Sequence, residues 1–227
     1  MSVTVTWHGH SALALDVDGS RVLVDPFFTG NPVAVASADD MAADYILVTH
    51  GHGDHVGDAL EIAKGSDALV IANFEICNWF AANGHENVHA QHIGGGYAHP
   101  FGHVKLTIAF HGSAMPDGSY GGMACGFLLT VGGKKIYIAG DTALYSDMRL
   151  IGRNGLDLAF LPIGDNFTMD PVDALEAVKL LGSEVVVPYH YDTWPPIVQD
   201  VDAWAARVRS ETSSRVVVMK VGESITA

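Results

Sequence analysis

The stretch YILVTHGHGDH, residues 45–55, joins four apolar residues to three histidines and an aspartate that fall within six positions. Tyr45, Ile46, Leu47 and Val48 read as a buried strand. His50 and His52 therefore emerge at its C-terminal end, where Gly51 and Gly53 let the backbone turn tightly. Side chains two apart can converge on one point there. Asp54 and His55 follow at the start of the next helix, aimed at the same rim of the sheet. Imidazole with carboxylate suits zinc and neighbouring transition metals, whereas an oxygen-only cluster would suit magnesium or calcium. Taken singly, Asp54 would serve as a helix N-cap and a histidine as a strand-end donor. Three histidines with an aspartate need more, because each buried polar ring requires a partner and one shared cation serves them all.

Ligands on a single loop do not close a coordination shell, so the remainder must come from later strand ends. His111 follows KLTIAF, Asp141 follows KIYIA, and His190 follows EVVVP and Tyr189. Each stands just past an apolar strand, where open sheets present functional side chains. One such residue is an ordinary loop residue; three at the same kind of position form a pattern.

Around these positions the chain is rich in strands with helices inserted. Strands are predicted at 3–7, 12–17, 21–24, 45–49, 68–72, 105–110, 126–131, 135–139, 156–161, 184–188 and 215–218. Helical periodicity falls at 58–64, 74–83, 171–181 and 200–212. Early hairpins followed by alternating strands and helices recur after about residue 100, which predicts two βα halves closing on each other as one domain over 1–227. The His- and Gly-rich stretch 85–103 reads as a loop, and its histidines at 85, 89, 92, 99 and 103 take surface or local hydrogen-bonding roles.

Composition removes several classes of function. Twelve Lys and Arg against twenty-six Asp and Glu give a formal charge of −14, which repels polyanions, so nucleic acid is not the expected partner. No apolar run reaches the roughly 20 residues of a membrane span, and the alternating N-terminus reads as a strand, not as a signal peptide. A cytoplasmic protein is expected, with homo-oligomerisation left open. Cys77 and Cys125 are too few for a disulfide framework and read as reduced structural thiols.

The motif His50-x-His52-x-Asp54-His55, followed in order by His111, Asp141 and His190, resembles the metallo-β-lactamase superfamily. The segments WHGHSA (7–12), DPFFTGNP (25–32), THGHGDHVGD (49–58), AFHGSA (109–114), AGDTALYSDM (139–148), LPIGDNFTMDP (161–171) and VVPYHYDTWP (186–195) are similar to its metal-dependent hydrolases related to ascorbate-6-phosphate lactonases. The resemblance spans residues 7–196. It implies an α/β fold, a four-layer αββα sandwich, with a dinuclear site on one sheet edge. It further implies that His50, His52 and His111 hold one divalent ion, that Asp54, His55 and His190 hold the other, and that Asp141 bridges them. Zinc is the first expectation for both, with nickel or manganese as alternatives. Asp170 stands where glycine is expected, which affects loop detail alone.

Two metals in such a site lower the pKa of a shared water toward ~7, so the expected reaction is hydrolysis by a metal-bound hydroxide of a small lactone, ester, amide or phosphodiester. Asp54 is the catalytic candidate that orients the water or carries a proton to the leaving group. No serine or cysteine nucleophile is assigned, Ser11 and Ser113 included. His8 and His10, two apart in an expected strand, and Asp165, after the strand LAFLPI, are candidates for contacts to substrate or to the ligands. The alternatives are a small-molecule phosphodiesterase or nuclease, or a non-catalytic or redox metal protein on the same fold. No GxGxxG fingerprint or flavin domain supports the redox reading.

Overall fold

The computed structural model describes residues 2–227. The first sheet takes β1 (Val3–Trp7), β2 (Leu13–Val17), β3 (Ser20–Val24), β4 (Tyr45–Leu47), β5 (Leu69–Asn73) and β6 (Val88–Gln91). The second takes β7 (Gly96–His99), β8 (Gly102–Ile108), β9 (Cys125–Val131), β10 (Lys134–Ile138), β11 (Leu158–Pro162), β12 (Val185–Tyr189) and β13 (Arg215–Val216). The chain then returns to the first sheet, where β14 (Ser224–Thr226) pairs antiparallel with β1, Thr4 opposite Thr226. Strand orders are β14-β1-β2-β3-β4-β5-β6 and β13-β12-β11-β10-β9-β8-β7.

Each sheet is half antiparallel and half parallel, β3 to β6 in the first and β10 to β13 in the second. Because β8 and β10 are both antiparallel to β9, they run in the same direction. The C-terminal ends of β8, β10 and β12 thus share one rim, which is the rim that Asp141, His111 and His190 need.

The predicted αββα sandwich is present. Val5, Leu15, Val22 and Leu47 of the first sheet and Phe127, Leu129 and Ile138 of the second belong to one buried cluster. Each such side chain taken from water contributes about 1.5–3 kcal/mol. The other side of the first sheet offers Leu23, Ile46, Val48 and Val70 to α2 (Ala59–Ser66) and α3 (Phe74–Ala82), through Ile62, Ile76 and Phe80. The outer helices of the second sheet are α5 (Pro171–Leu181) and α6 (Val201–Glu211), with Leu175, Val178, Trp204 and Val208 buried. A short α1 (Gly53–Val56) precedes α2, and α4 (Met148–Gly152) precedes β11. Asp170 explains its own departure from glycine: its carboxylate accepts the Val172 and Asp173 amides and caps α5, with Pro171 in the first turn.

Several elements differ from the sequence reading. The expected loop 85–103 instead contributes β6, β7 and the start of β8. These are short strands at or beside the sheet edges with exposed, polar or glycine positions, so they lack the apolar alternation that announces a strand. His85, expected at the surface or in local hydrogen bonds, is buried, and its Nε2 lies 2.8 Å from the Ala68 carbonyl. The strand expected at 215–218 ends at Val216, and α4 and β14 have no counterpart in the prediction. His8 and His10 are not in a strand: β1 stops at Trp7, and His10 turns through a φ of +53°.

Candidate metal centre

The loop after β4 is shaped by close approach. A Cβ on Gly51 would lie 2.9 Å from the Ala114 carbonyl, so only glycine fits between the two histidines. Across the site Gly140, at φ +65°, has no room for a Cβ beside the Cys125 carbonyl, and this places Asp141. His190 itself adopts φ +56° just after β12, and its amide donates to the His10 carbonyl.

The seven positions expected from the sequence come together. Three overlapping groups each have donor atoms within 4.8 Å of one another: His50, His52 and His111; His50, His55 and Asp141; and His10, Asp54, His55 and His190. Asp141 Oδ2 lies between them, 3.1 Å from His190 Nε2, 3.3 Å from His55 Nε2 and 3.6 Å from His111 Nε2. His50 Nε2 is 3.1 Å from His52 Nδ1. At these separations His55 Nε2, both His190 nitrogens and Asp141 Oδ1 are buried without a hydrogen bond. Buried polar atoms aimed at one another without bonding are costly unless a cation joins them. The nitrogen and carboxylate donors fit zinc or a neighbouring transition metal.

Electrostatics set the protonation of these groups, and a bound cation would displace a proton from His55. Burial opposes charge on Asp141, but the His190 and His55 rings prevail and hold its pKa well below the carboxylate range. Burial likewise disfavours a charged His55, yet Asp141 and Asp25 draw its pKa well above the imidazole value. His50 is kept neutral by burial, then by the neighbouring rings, as a ligand must be.

Behind the cluster stands Asp25, which the sequence reading passed over. It is buried at φ +46° just after β3, and its Oδ1 accepts the Thr49 amide at 2.8 Å. Its Oδ2 accepts the Thr49 hydroxyl at 2.6 Å and stands 2.8 Å from His55 Nδ1. Thr49 Oγ1 is in turn 3.0 Å from His50 Nδ1. With Thr49 donating to Asp25, its oxygen is left to accept from His50. One carboxylate therefore orients two rings so that their Nε2 atoms face the cluster. The available signal was the one already used for the ligands, a polar residue directly after an apolar strand.

The weaker candidates separate. His10 Nε2 is 3.1 Å from Asp54 Oδ2, and its Nδ1 is 2.8 Å from Thr193 Oγ1. His8 packs edge-on against Phe28, with ring centroids 5.5 Å apart, and stands outside the three groups. Asp165 is exposed at φ +62°, and its carboxylate accepts the Asn166 amide within its own turn. Asp54 does not cap α1; His52 occupies the cap position without a side-chain bond. Ser113 Oγ accepts the Gly51 amide and donates to the Gly121 carbonyl, and the Ser11 hydroxyl faces the Asp54 carbonyl at 3.5 Å, so both are structural.

A cavity of about 680 Å³ opens over the cluster. Its lining includes His52, Asp54, His111, Asp141 and His190, together with Phe27, Phe167, Trp194 and Pro196.

Residues 20–191 match the family described as Beta-lactamase superfamily domain. The chain is a metal-dependent hydrolase of the metallo-β-lactamase superfamily. It is 50% identical over 227 residues to a UPF0173 metal-dependent hydrolase of Shouchella clausii, covering 97% of this chain and 98% of that one. Among solved structures, Igni18, a metallo hydrolase from the archaeon Ignicoccus hospitalis, superposes with a TM-score of 0.91 at 36% identity over 100% and 99% of the two chains. The metallo-β-lactamase fold protein YhfI of Bacillus subtilis shares the fold alone, with a TM-score of 0.77 at 13% identity over the full length of both. Within this metallo-β-lactamase-like chain, His10 and Thr193 lie outside the matched span 20–191, one on each side. Among the described residues no helix is long and apolar enough to cross a membrane.

Proposed function

We propose that this chain works as one hydrolase domain in the cytoplasm and holds two divalent ions, zinc in the first instance, to cleave a small lactone, ester, amide or phosphodiester. The observation that carries the reading is the convergence of buried, unbonded His55, His190 and Asp141 atoms on the same few ångströms as His50, His52, His111 and Asp54. His50, His52 and His111 would hold one ion, Asp54, His55 and His190 the other, and Asp141 both. Bound there, the ions would supply a water acidic enough to ionise near neutral pH and would polarise the substrate oxygen.

The chain's own residues do the rest. Hydrolysis adds the oxygen of water to the acyl or phosphoryl centre, breaks the bond to the leaving group and delivers a proton to it. Asp54 would take and return that proton; burial opposes its charge, but the bond from His10 and the nearby His55 ring keep it ionised and able to accept. Asp25 and Thr49 hold His50 and His55 in one orientation, so no reorganisation is needed during the reaction. A formal charge of −14 counts against nucleic acid as substrate.

The test is a screen of metal-loaded protein against lactones, esters, amides and phosphodiesters, with a chelated control and elemental analysis. Turnover of one class that chelation abolishes, with two equivalents of metal per chain, is expected. Turnover insensitive to verified metal removal would sink the reading.

A further inference from the structure

The cavity over the cluster is lined by residues of two kinds, the donors of the cluster and a set of apolar side chains. Besides the donors and Gly53 its lining is Phe27, Phe167, Trp194 and Pro196, and among the described residues no lysine or arginine borders it. Phe27 is 8% exposed and stands 6.1 Å, centroid to centroid, from the Trp194 ring, so the two form a continuous apolar wall. Phe167 borders the same cavity. It is 54% exposed, so its ring is accessible to a ligand in the cavity.

Its loop is nonetheless pinned. The Asp165 amide donates to the Met169 carbonyl at 3.0 Å, Phe167 donates to the Asp165 carbonyl, and Gln199 Nε2 holds the Gly164 carbonyl at 2.9 Å. The chain does have cations to spend on an anionic ligand. Lys105, Lys135 and Arg153 line a different cavity of about 480 Å³ between the second sheet and the α4 region. None of these three borders the cluster.

Resting on the hydrolase reading above, we propose that the substrate is an uncharged lactone, ester or amide whose apolar group, flat or extended, lies against Phe27, Trp194 and Phe167, and that the site selects against a second anionic group. A phosphate or carboxylate on that part of the substrate, away from the ions the donors would hold, would leave water for an apolar wall with no lysine or arginine beside it, in the field of a chain carrying a formal charge of −14. An apolar group of the same length gains from burial instead.

Binding tests this without requiring turnover. Octanohydroxamate and suberic acid monohydroxamate carry the same metal-chelating head, but the second ends in a carboxylate. Calorimetric titration of the metal-loaded protein should show the uncharged tail binding at least tenfold tighter. The ratio should shrink severalfold in both Phe167→Ala and Trp194→Ala. Equal or tighter binding of the charged tail, no binding of either compound, or a ratio unmoved in both variants would overturn the proposal. In parallel, γ-nonalactone is compared with a γ-lactone ending in a carboxylate. If neither is hydrolysed while the hydroxamates still discriminate, the lactonase chemistry fails and the apolar binding wall stands; preferential hydrolysis of the charged lactone would overturn the wall.

Discussion

His10 reaches Asp54 through Nε2 at 3.1 Å, and that contact is attractive in a neutral ring only if Nε2 bears the proton. Burial, then the neighbouring His190, lowers the His10 pKa to about 4, so the ring is neutral. Thr193 Oγ1, 2.8 Å from Nδ1, then supplies the donor that fixes this tautomer. The His10 carbonyl is held as well, accepting from Trp7 Nε1 and from the His190 amide.

Thr193→Val keeps the shape and removes the donor. Metal affinity measured against a chromophoric chelator should fall by less than the ~10–100-fold seen when a group bonded directly to a ligand is removed, because His10 stands between Thr193 and Asp54. Thr193→Ser should restore it, and nitrogen NMR of the His10 ring should show the tautomer change in Thr193→Val alone. Wild-type affinity with an unchanged ring spectrum would refute the role.

Asp25→Ala strands the Thr49 amide, the Thr49 hydroxyl and His55 Nδ1 in the core. Breaking such a buried cluster costs on the order of 3–5 kcal/mol. Urea unfolding with chelator present should register this loss, and metal affinity should fall as well. A midpoint equal to wild type under chelation would show that Asp25 orients nothing.

The two site aspartates should fail differently. Asp141→Ala removes the oxygen shared by His55, His111 and His190, so metal content per chain should drop. Asp54→Asn keeps a neutral oxygen ligand and loses the base. Its kcat should fall about 10²–10⁴-fold with metal content better preserved. Elemental analysis paired with kinetics reads both; two metals and full activity in Asp141→Ala would reverse the assignment.

The thiols offer a check independent of the site. Burial pushes Cys77 up to about 12, and it pushes Cys125 higher still. At pH 8 neither should react with a thiol reagent in the native protein, and both should after denaturation. Above about pH 9 the unfolded thiols ionise while Cys77 stays protonated in the fold, so the unfolded state binds fewer protons and stability falls as pH rises toward 12. Rapid native labelling of either cysteine would contradict their burial.

Where function lay in the sequence, it was legible wherever polar residues interrupted a strong apolar strand. His50, His111, Asp141 and His190 all stand just past such strands, and the strand direction places them on one rim. Asp25 follows the same rule after VLV, yet a single carboxylate before proline resembles an ordinary turn. β6 and β7 stayed hidden because pairing, and not local pattern, makes them strands. His10 was found for an incorrect reason. It reaches the cluster through a left-handed turn and not along a strand face, a conformation that sequence alone assigns to histidine only weakly.

The pairing of Thr4 with Thr226 bears on how the molecule is made. On the ribosome β1 is synthesised long before β14, and through that interval the first sheet has a free edge whose amides and carbonyls lack their partner. Closing it joins the most distant parts of the described chain, the slowest kind of contact to form. A chain ending before Ser224 would lack β14 and leave β1 as an unpaired edge, an exposure that favours association with other chains.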